Sequence, residues 1–280
     1  MSENKKAQEI VDLVESEKYK TRKPQKQKWS WGRIGEKLLF ALMVTLWVYV
    51  MFNVSQYAVG WGAGLVMGML GATEVTPMIT MVLMAVAYTV AALVIIGVPA
   101  LVGSQLKKKR WKKDLMVSSE LLGLKGLPTW VDIGLGVVGI VVALVGGGIL
   151  LQLMEVFPWF DAGESQETGF AQGIMGIDRI WAFVALAVVA PIAEELIFRG
   201  WMYGKLREKM KTWYGVGFAM LLVSVLFGFL HGQWNVAVTV GFMSLVMCGL
   251  REVTGTIWAA IIVHMLKNGL AAFMLFVYMV

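Results

Sequence analysis

The sequence contains little charge and almost no cysteine or histidine. Charged residues make up 16% of its 280 residues and hydrophobic residues 58%, whereas soluble domains carry about a quarter charged and about half apolar residues. The single Cys248 excludes an intramolecular disulfide. The low charge excludes an ordinary soluble globular protein and indicates a membrane protein.

Long apolar runs follow one another along the chain. A membrane helix needs ~20 mostly apolar residues to cross a ~30 Å hydrocarbon layer. The sequence therefore predicts an all-α fold, a polytopic transmembrane bundle with about 7–8 membrane helices. The predicted spans lie at 38–54, 77–103, 133–154, 180–204, 214–231, 235–250 and 256–279. The glycine-rich run at 60–71 predicts close helix packing or a loop.

A charged tail precedes the apolar runs. Residues 1–36 have no apolar core, so they are not expected to be a secretory signal, and 37–280 are expected to form the transmembrane domain. Basic residues cluster in this tail, at 104–114 and at 205–211, whereas 155–178 is acidic. Because short basic loops stay inside, the pattern predicts a cytoplasmic N-terminus and an external acidic linker. The basic clusters indicate contact with the lipid bilayer rather than with nucleic acid.

Ionisable side chains are absent from the first three predicted spans and concentrated in the later ones. The later spans hold six of them, including both histidines of the chain: Glu194, Glu195, Arg199, His231, His264 and Lys267. Such a residue costs about 2.5–3.5 kcal/mol at the bilayer centre, so it usually marks a site or a proton pathway. The sequence therefore predicts a polar site in the C-terminal half.

Helical spacing separates the roles of the two glutamates. Residues four apart share a face, so Glu195 and Arg199 are expected to pair, while Glu194 is turned ~100° away. Glu194 is thus the carboxylate without a local partner. Because Pro191 lacks an N–H, we expect the helix to kink just before the glutamates and to open room for water.

The histidines and an asparagine supply further polar groups. Glycines on both sides of His231, Gly228 and Gly232, predict that the helix ends or bends near the imidazole. His264 and Asn268 share a helical face and can both donate toward one oxygen, as an oxyanion requires. A free carboxylate, two imidazoles, an amide and an ion pair suit activation of water against an amide bond.

Three short motifs carry a resemblance to a known family. The sequences "EELIFRG" (EExxxR), "FGFLH" (FxxxH) and "HMLKN" (HxxxN) follow one another on successive apolar segments. This set resembles the CPBP or Abi family of CAAX prenyl endopeptidases and bacteriocin-processing membrane proteases. The resemblance covers a protease core of about 115–275 and implies an intramembrane endopeptidase that cuts a membrane-associated peptide or protein.

The resemblance also implies a role for each motif residue. Glu194 would activate water together with His231, and His264 with Asn268 would stabilise the oxyanion. Glu195 and Arg199 would support them. No cofactor and no metal are expected.

Two alternatives remain open at the level of sequence. Two histidines and a carboxylate could form a three-ligand zinc site in a metal-dependent membrane protease. The polar residues could instead hold helices together in a non-catalytic immunity or scaffold protein. Segment 235–250 could also be re-entrant, because His231 would otherwise lie ~26 Å from Tyr214, deeper than the other site residues.

Overall fold

A computed structural model describes residues 31–71, 75–108, 112, 114–164 and 174–278. Within these residues the protein contains eight principal helices and no strand. Their bounds are α1 Trp31–Met69, α2 Pro77–Gln105, α3 Ser119–Leu122, α4 Trp130–Met154, α5 Asp178–Lys209, α6 Trp213–Phe229, α7 Trp234–Thr254 and α8 Trp258–Tyr278.

Two compact units divide the chain, Met1–Glu36 and Lys37–Val280. Of the first unit, only the start of α1 is described. Residues 1–30 of the predicted tail therefore lie outside the described residues, and the tail stays a prediction. The site and its supporting helices belong to the second unit.

Six of the described helices are long and apolar enough to cross a membrane, namely α1, α2, α4, α5, α7 and α8. Helix α6 is also apolar but shorter, at 17 residues. The predicted helical membrane bundle is confirmed. The glycine-rich run at 60–71 differs from its prediction, because α1 continues as a helix to Met69 and Gly60, Gly62, Gly64 and Gly68 have no neighbour within 4 Å of a built Cβ.

Side-chain caps fix where several helices begin. Thr76 accepts a hydrogen bond from the Ile79 amide, and Pro77 then begins α2 in a position where its missing N–H costs nothing. At the start of α4, Thr129 and Asp132 form a reciprocal capping box. Asp132 also accepts from the Thr256 hydroxyl at 2.9 Å, which ties the start of α4 to the turn before α8.

Helix α5 changes its winding twice. Residues Ala185–Val189 and Leu196–Met202 are π-helical, and the short α-helical segment Ala190–Glu195 between them carries both glutamates. The predicted disturbance near Pro191 thus takes the form of a π-helical turn directly before it. Such wide turns recur at functional sites, because they shift the direction of the side chains that follow.

Glycines let the C-terminal helices approach closely. Helix α4 packs against α7 and α8, and α6 packs against α7. A Cβ at Gly136 would meet Ile262 of α8, and a Cβ at Gly228 would collide with the Ala237 carbonyl of α7. The end of α6 is therefore held against the beginning of α7.

Internal contacts use most of the basic cluster at the end of α5. Lys205 is buried and donates to the Met116 carbonyl at 2.6 Å. Arg207 pairs with Glu252 at 2.9 Å, and Lys209 pairs with Asp114 at 2.5 Å. These side chains hold the end of α5 against α7 and the segment before α3, so the expectation that the whole cluster meets headgroups is corrected for Lys205.

The long course of α5 accounts for the depth of His231. Helix α5 continues ten residues, or ~15 Å, beyond Arg199 before α6 turns back. Helix α6 runs back in the opposite direction, and Phe227, near its C-terminal end, reaches Arg199. The Arg199 Cζ lies 4.3 Å from the Phe227 ring centroid. Segment 234–254 is one continuous helix, so a re-entrant break is not needed within it.

Candidate active site

A buried carboxylate joins the first and last motifs. Glu195 Oε1 accepts from Arg199 Nη1 at 2.9 Å and from His264 Nδ1 at 2.8 Å. All three side chains are nearly or fully buried. Because an ionised carboxylate can only accept, Nδ1 of His264 carries a proton and Nε2 is the nitrogen left for other partners.

Glu194 lies on the other side of the same imidazole. Its Oε2 is 3.8 Å from His264 Nε2 and is buried without a hydrogen-bond partner among the described residues. The neighbouring glutamates thus contact the two nitrogens of one ring, Glu195 at Nδ1 and Glu194 across a gap at Nε2. A carboxylate oxygen this close to an imidazole nitrogen, but too far to accept a hydrogen bond from it, can share a polar molecule that binds beside both atoms.

His231 ends the turn after α6. Its Nδ1 lies 2.8 Å from the Phe227 carbonyl, which can only accept, so Nδ1 donates and Nε2 keeps its lone pair in the neutral ring. The His231 side chain is exposed, so it lies at the edge of the buried cluster.

The Phe227 ring joins the two histidines. Its centroid lies 5.1 Å from that of His231 and 5.7 Å from that of His264, both in edge-on contacts. Arg199 stacks over the same ring at 4.3 Å, a cation–π contact worth more when desolvated. The phenylalanine of the second motif therefore holds residues of all three motifs at fixed distances.

Asn268 contacts the helix that carries the glutamates. Its Nδ2 donates to the Leu186 carbonyl at 3.1 Å. In the i→i+5 pattern of the π-helical turn, the residue opposite Leu186 is Pro191, which has no N–H to offer. Asn268 satisfies the carbonyl that the proline leaves free, and its second N–H remains for another acceptor.

Lys267 adds a positive charge beside the site. It is half-buried on α8, three residues after His264. Among the ion pairs of the described residues none shorter than 4 Å involves Lys267.

The donor set does not fit a three-ligand metal site. In the described part of the chain, no group of three histidine, cysteine, aspartate or glutamate side chains is arranged to hold an ion. Glu195 Oε1 already accepts two hydrogen bonds, from Arg199 and His264. The zinc alternative therefore finds no support in the geometry of these side chains.

Five of the six predicted site residues converge on one cluster around Phe227: Glu194, Glu195, Arg199, His231 and His264. Asn268 lies on the same face of α8 but is directed at Leu186. Sequence reasoning gave no role to Phe227, whose ring contacts both histidines and Arg199. Its place in the FxxxH motif, four residues before His231, is the signal that could have identified it.

The fold and the site define a class. The protein is a multi-pass, all-helical membrane protein with a buried cluster of acidic, basic and imidazole side chains between α5, α6 and α8. Residues 176–270 match the family described as type II CAAX prenyl endopeptidase, Rce1-like. This match confirms the resemblance to the CPBP or Abi family over these residues.

A curated relative is consistent with this family. The chain is 29% identical over 132 residues to a Bacillus subtilis (strain 168) protein named "Putative membrane peptidase YdiL". The match covers 47% of this chain and 52% of the relative, so it spans about half of that protein's length. No solved structure matches this chain. At the level of the family, these similarities support a membrane protease of the CAAX type.

Proposed function

We propose that the protein is an intramembrane endopeptidase in which Glu194 activates water against a peptide bond of a membrane-associated substrate. One observation carries the proposal. Glu194 Oε2 is buried without a hydrogen-bond partner in the described protein and faces His264 Nε2 at 3.8 Å. A water molecule that lies to one side of these two atoms, within hydrogen-bond distance of both, would satisfy the carboxylate and contact a second polar group.

The reaction uses these groups in sequence. Glu194 takes a proton from water as the oxygen bonds to the peptide carbonyl carbon, and the carbonyl becomes an oxyanion. The C–N bond then breaks, and the proton passes to the leaving nitrogen. His231, whose Nδ1 donates to the Phe227 carbonyl, offers the Nε2 lone pair of its neutral ring as a second acceptor for the water.

His264 and Asn268 are proposed to stabilise the oxyanion. Nδ1 of His264 already donates to Glu195, so donation from Nε2 requires a ring that carries both protons. Asn268 would contribute the N–H that Leu186 does not use. Glu195 and Arg199 fix the orientation of the imidazole, as carboxylate partners of functional histidines do.

The proposed setting is the cell membrane with a cytoplasmic N-terminus. The substrate is proposed to be a peptide that is embedded in or delivered through the bilayer, because the site lies among membrane helices.

Three alanine variants test the proposal: Glu194→Ala, His231→Ala and His264→Ala. Membrane peptides are compared by mass spectrometry between cells that carry each variant and cells that carry the wild type. We expect cleavage to fall by roughly 100- to 10,000-fold, the contribution of general acid–base catalysis. Glu155→Gln, at an exposed carboxylate at the end of α4, is the matched control and is expected to cleave normally.

Contrary results discriminate the remaining alternatives. Cleavage that survives in all three variants would refute the assignment of the site. A non-catalytic scaffold predicts instead that the variants lose thermal stability and that the wild type cleaves no peptide. Chelator treatment with metal analysis forms a separate arm, in which a requirement for stoichiometric zinc would contradict the expected absence of a metal.

A further inference from the structure

The acidic linker folds back directly after α4. The Phe160 amide donates to the Phe157 carbonyl at 3.0 Å, and Asp161 Oδ1 accepts from the Gly163 amide at 2.8 Å. An aspartate that accepts from the backbone amide two residues later favours a tight turn. These bonds give the first part of the linker a fixed course up to Glu164, where it meets α7.

Asn235 joins the linker to the first turn of α7. Its side chain is buried, Nδ2 donates to the Glu164 carbonyl at 2.7 Å, and Oδ1 accepts from the Val236 amide at 2.7 Å. A carbonyl can only accept and an amide N–H can only donate, so the two partners fix the same orientation of the side chain. The first amides of a helix have no partner within the helix, so Asn235 satisfies one of them and binds the linker with the same side chain.

An aromatic contact holds the residue before Asn235. The ring centroids of Trp159 and Trp234 lie 5.8 Å apart in an edge-on contact. The Trp159 ring also contacts the buried Phe160 edge-on at 5.8 Å. Edge-on aromatic pairs add to the stabilisation that burial alone provides. The linker therefore contacts two successive residues at the start of α7.

The position of His231 depends on the ends of two helices. The imidazole is exposed at the edge of the cluster, and Trp234 begins α7 only three residues after it. Gly232 between them has φ 78°, a conformation that glycine adopts without strain. Before the turn, α6 and α7 meet so closely that a Cβ at Gly228 would collide with the Ala237 carbonyl. A shift of the start of α7 would therefore move the turn that carries the imidazole.

We propose that Asn235 is a positioning residue for His231, because it ties the acidic linker to α7 and so keeps the imidazole in reach of the water that Glu194 activates. This role rests on the proposed function of His231 as a second acceptor for that water. Asn235 acts through the turn and not on the reacting atoms. A misplacement of ~1 Å by a mutation away from the chemistry can cost about 100-fold in rate.

Two variants of Asn235 remove the donor to the linker. Asn235→Leu removes both bonds of the side chain, whereas Asn235→Asp keeps an oxygen for the Val236 amide and places a favourable charge at the helix start. In the full-length protein in bilayers, we expect kcat to fall by roughly 10- to 100-fold in both, with KM changed less than about twofold. Asn53→Leu is the matched control, because it removes a 2.8 Å bond from Nδ2 to the Tyr49 carbonyl within α1. Normal kcat in either Asn235 variant would overturn the proposal.

Hydrogen exchange of the turn needs no substrate. The amides of His231, Gly232 and Gln233 all donate to backbone carbonyls, so their exchange requires local opening. We expect Asn235→Asp to raise their exchange rates by roughly 2- to 10-fold, the effect of one lost hydrogen bond on a local equilibrium, and Asn53→Leu to leave them unchanged.

Unchanged exchange in Asn235→Asp would overturn the proposal even if kcat falls, since Asn235 would then act without holding the turn. If the wild type cleaves no peptide, the proposed function fails, and the exchange rates alone decide whether Asn235 holds the turn of His231.

Discussion

At the scale of single residues, the buried Glu195–Arg199 pair is a positioning device whose members depend on each other. Both side chains are fully buried, and their charges were removed from water at a large cost. Arg199 Nε and Nη2 lack hydrogen-bond partners among the described residues, so the pair is not saturated. The role of the pair is to fix the position of His264, which two apolar side chains of equal volume could not do.

Removing one member of this pair is expected to destabilise the protein more than removing both. Glu195→Leu leaves a buried, unpaired guanidinium, and we expect a loss of about 3–5 kcal/mol in the free energy of unfolding. Glu195→Leu with Arg199→Met should recover most of that loss but no cleavage, because His264 loses its Nδ1 partner. Chemical unfolding in detergent measures both, and a double variant less stable than Glu195→Leu would contradict the argument.

At the scale of helices, the π-helical turn before Pro191 and the Asn268 amide act together. Asn268→Leu leaves the Leu186 carbonyl buried without a donor, and we expect a loss of about 1–3 kcal/mol in stability. Pro191→Ala restores an N–H in the helix, so the same leucine substitution should cost less in that background. Thermal unfolding of the four proteins measures the difference. Equal costs in both backgrounds would show that the proline does not create the need for Asn268.

The close approach of α6 and α7 sets the position of the His231 turn. A Cβ at Gly228 would collide with the Ala237 carbonyl, so Gly228→Ala must push the helices apart. We expect a loss of about 1–3 kcal/mol, as for other overpacked sites, together with weaker cleavage. Gly217→Ala on the same helix has open space and should be neutral or gain up to ~1 kcal/mol. Thermal unfolding and peptide cleavage compare the two, and equal behaviour would contradict the packing argument.

Sequence spacing predicted the side-chain contacts within one helix and missed the contacts between helices. The i,i+4 rule gave the Glu195–Arg199 pair and the separate direction of Glu194, and both are present. The Asn268–Leu186 and His264–Glu195 bonds join residues 82 and 69 positions apart, which no local rule relates. For the glycine-rich run at 60–71 the close helix packing was wrong and not the helix, since the helix continues to Met69 and these glycines have no near neighbour.

At the scale of the whole molecule, charge asymmetry and span order make one prediction about topology. A cytoplasmic N-terminus followed by α1, α2 and α4 brings the acidic linker at 155–178 outside and returns α5 to the basic inner side. The segments 53–76 and 155–178 contain no lysine or arginine, whereas the tail and 104–114 are rich in both. The charges of all four segments therefore agree with the same orientation, in which the N-terminus is cytoplasmic.

Cysteine labelling tests the orientation with little background, because the native Cys248 is buried. We expect Ser165→Cys, in the acidic linker, to react with a membrane-impermeant maleimide in intact cells. Ser16→Cys, in the basic tail, should react only after the membrane is permeabilised. The reverse pattern would invert the topology, and labelling of both from outside would contradict an odd number of crossings between them. In the expected topology Lys205–Lys211 are cytoplasmic, so α5 runs inward from the linker. Glu194 then lies ~15–22 Å from the cytoplasmic end of α5, inside the hydrocarbon layer.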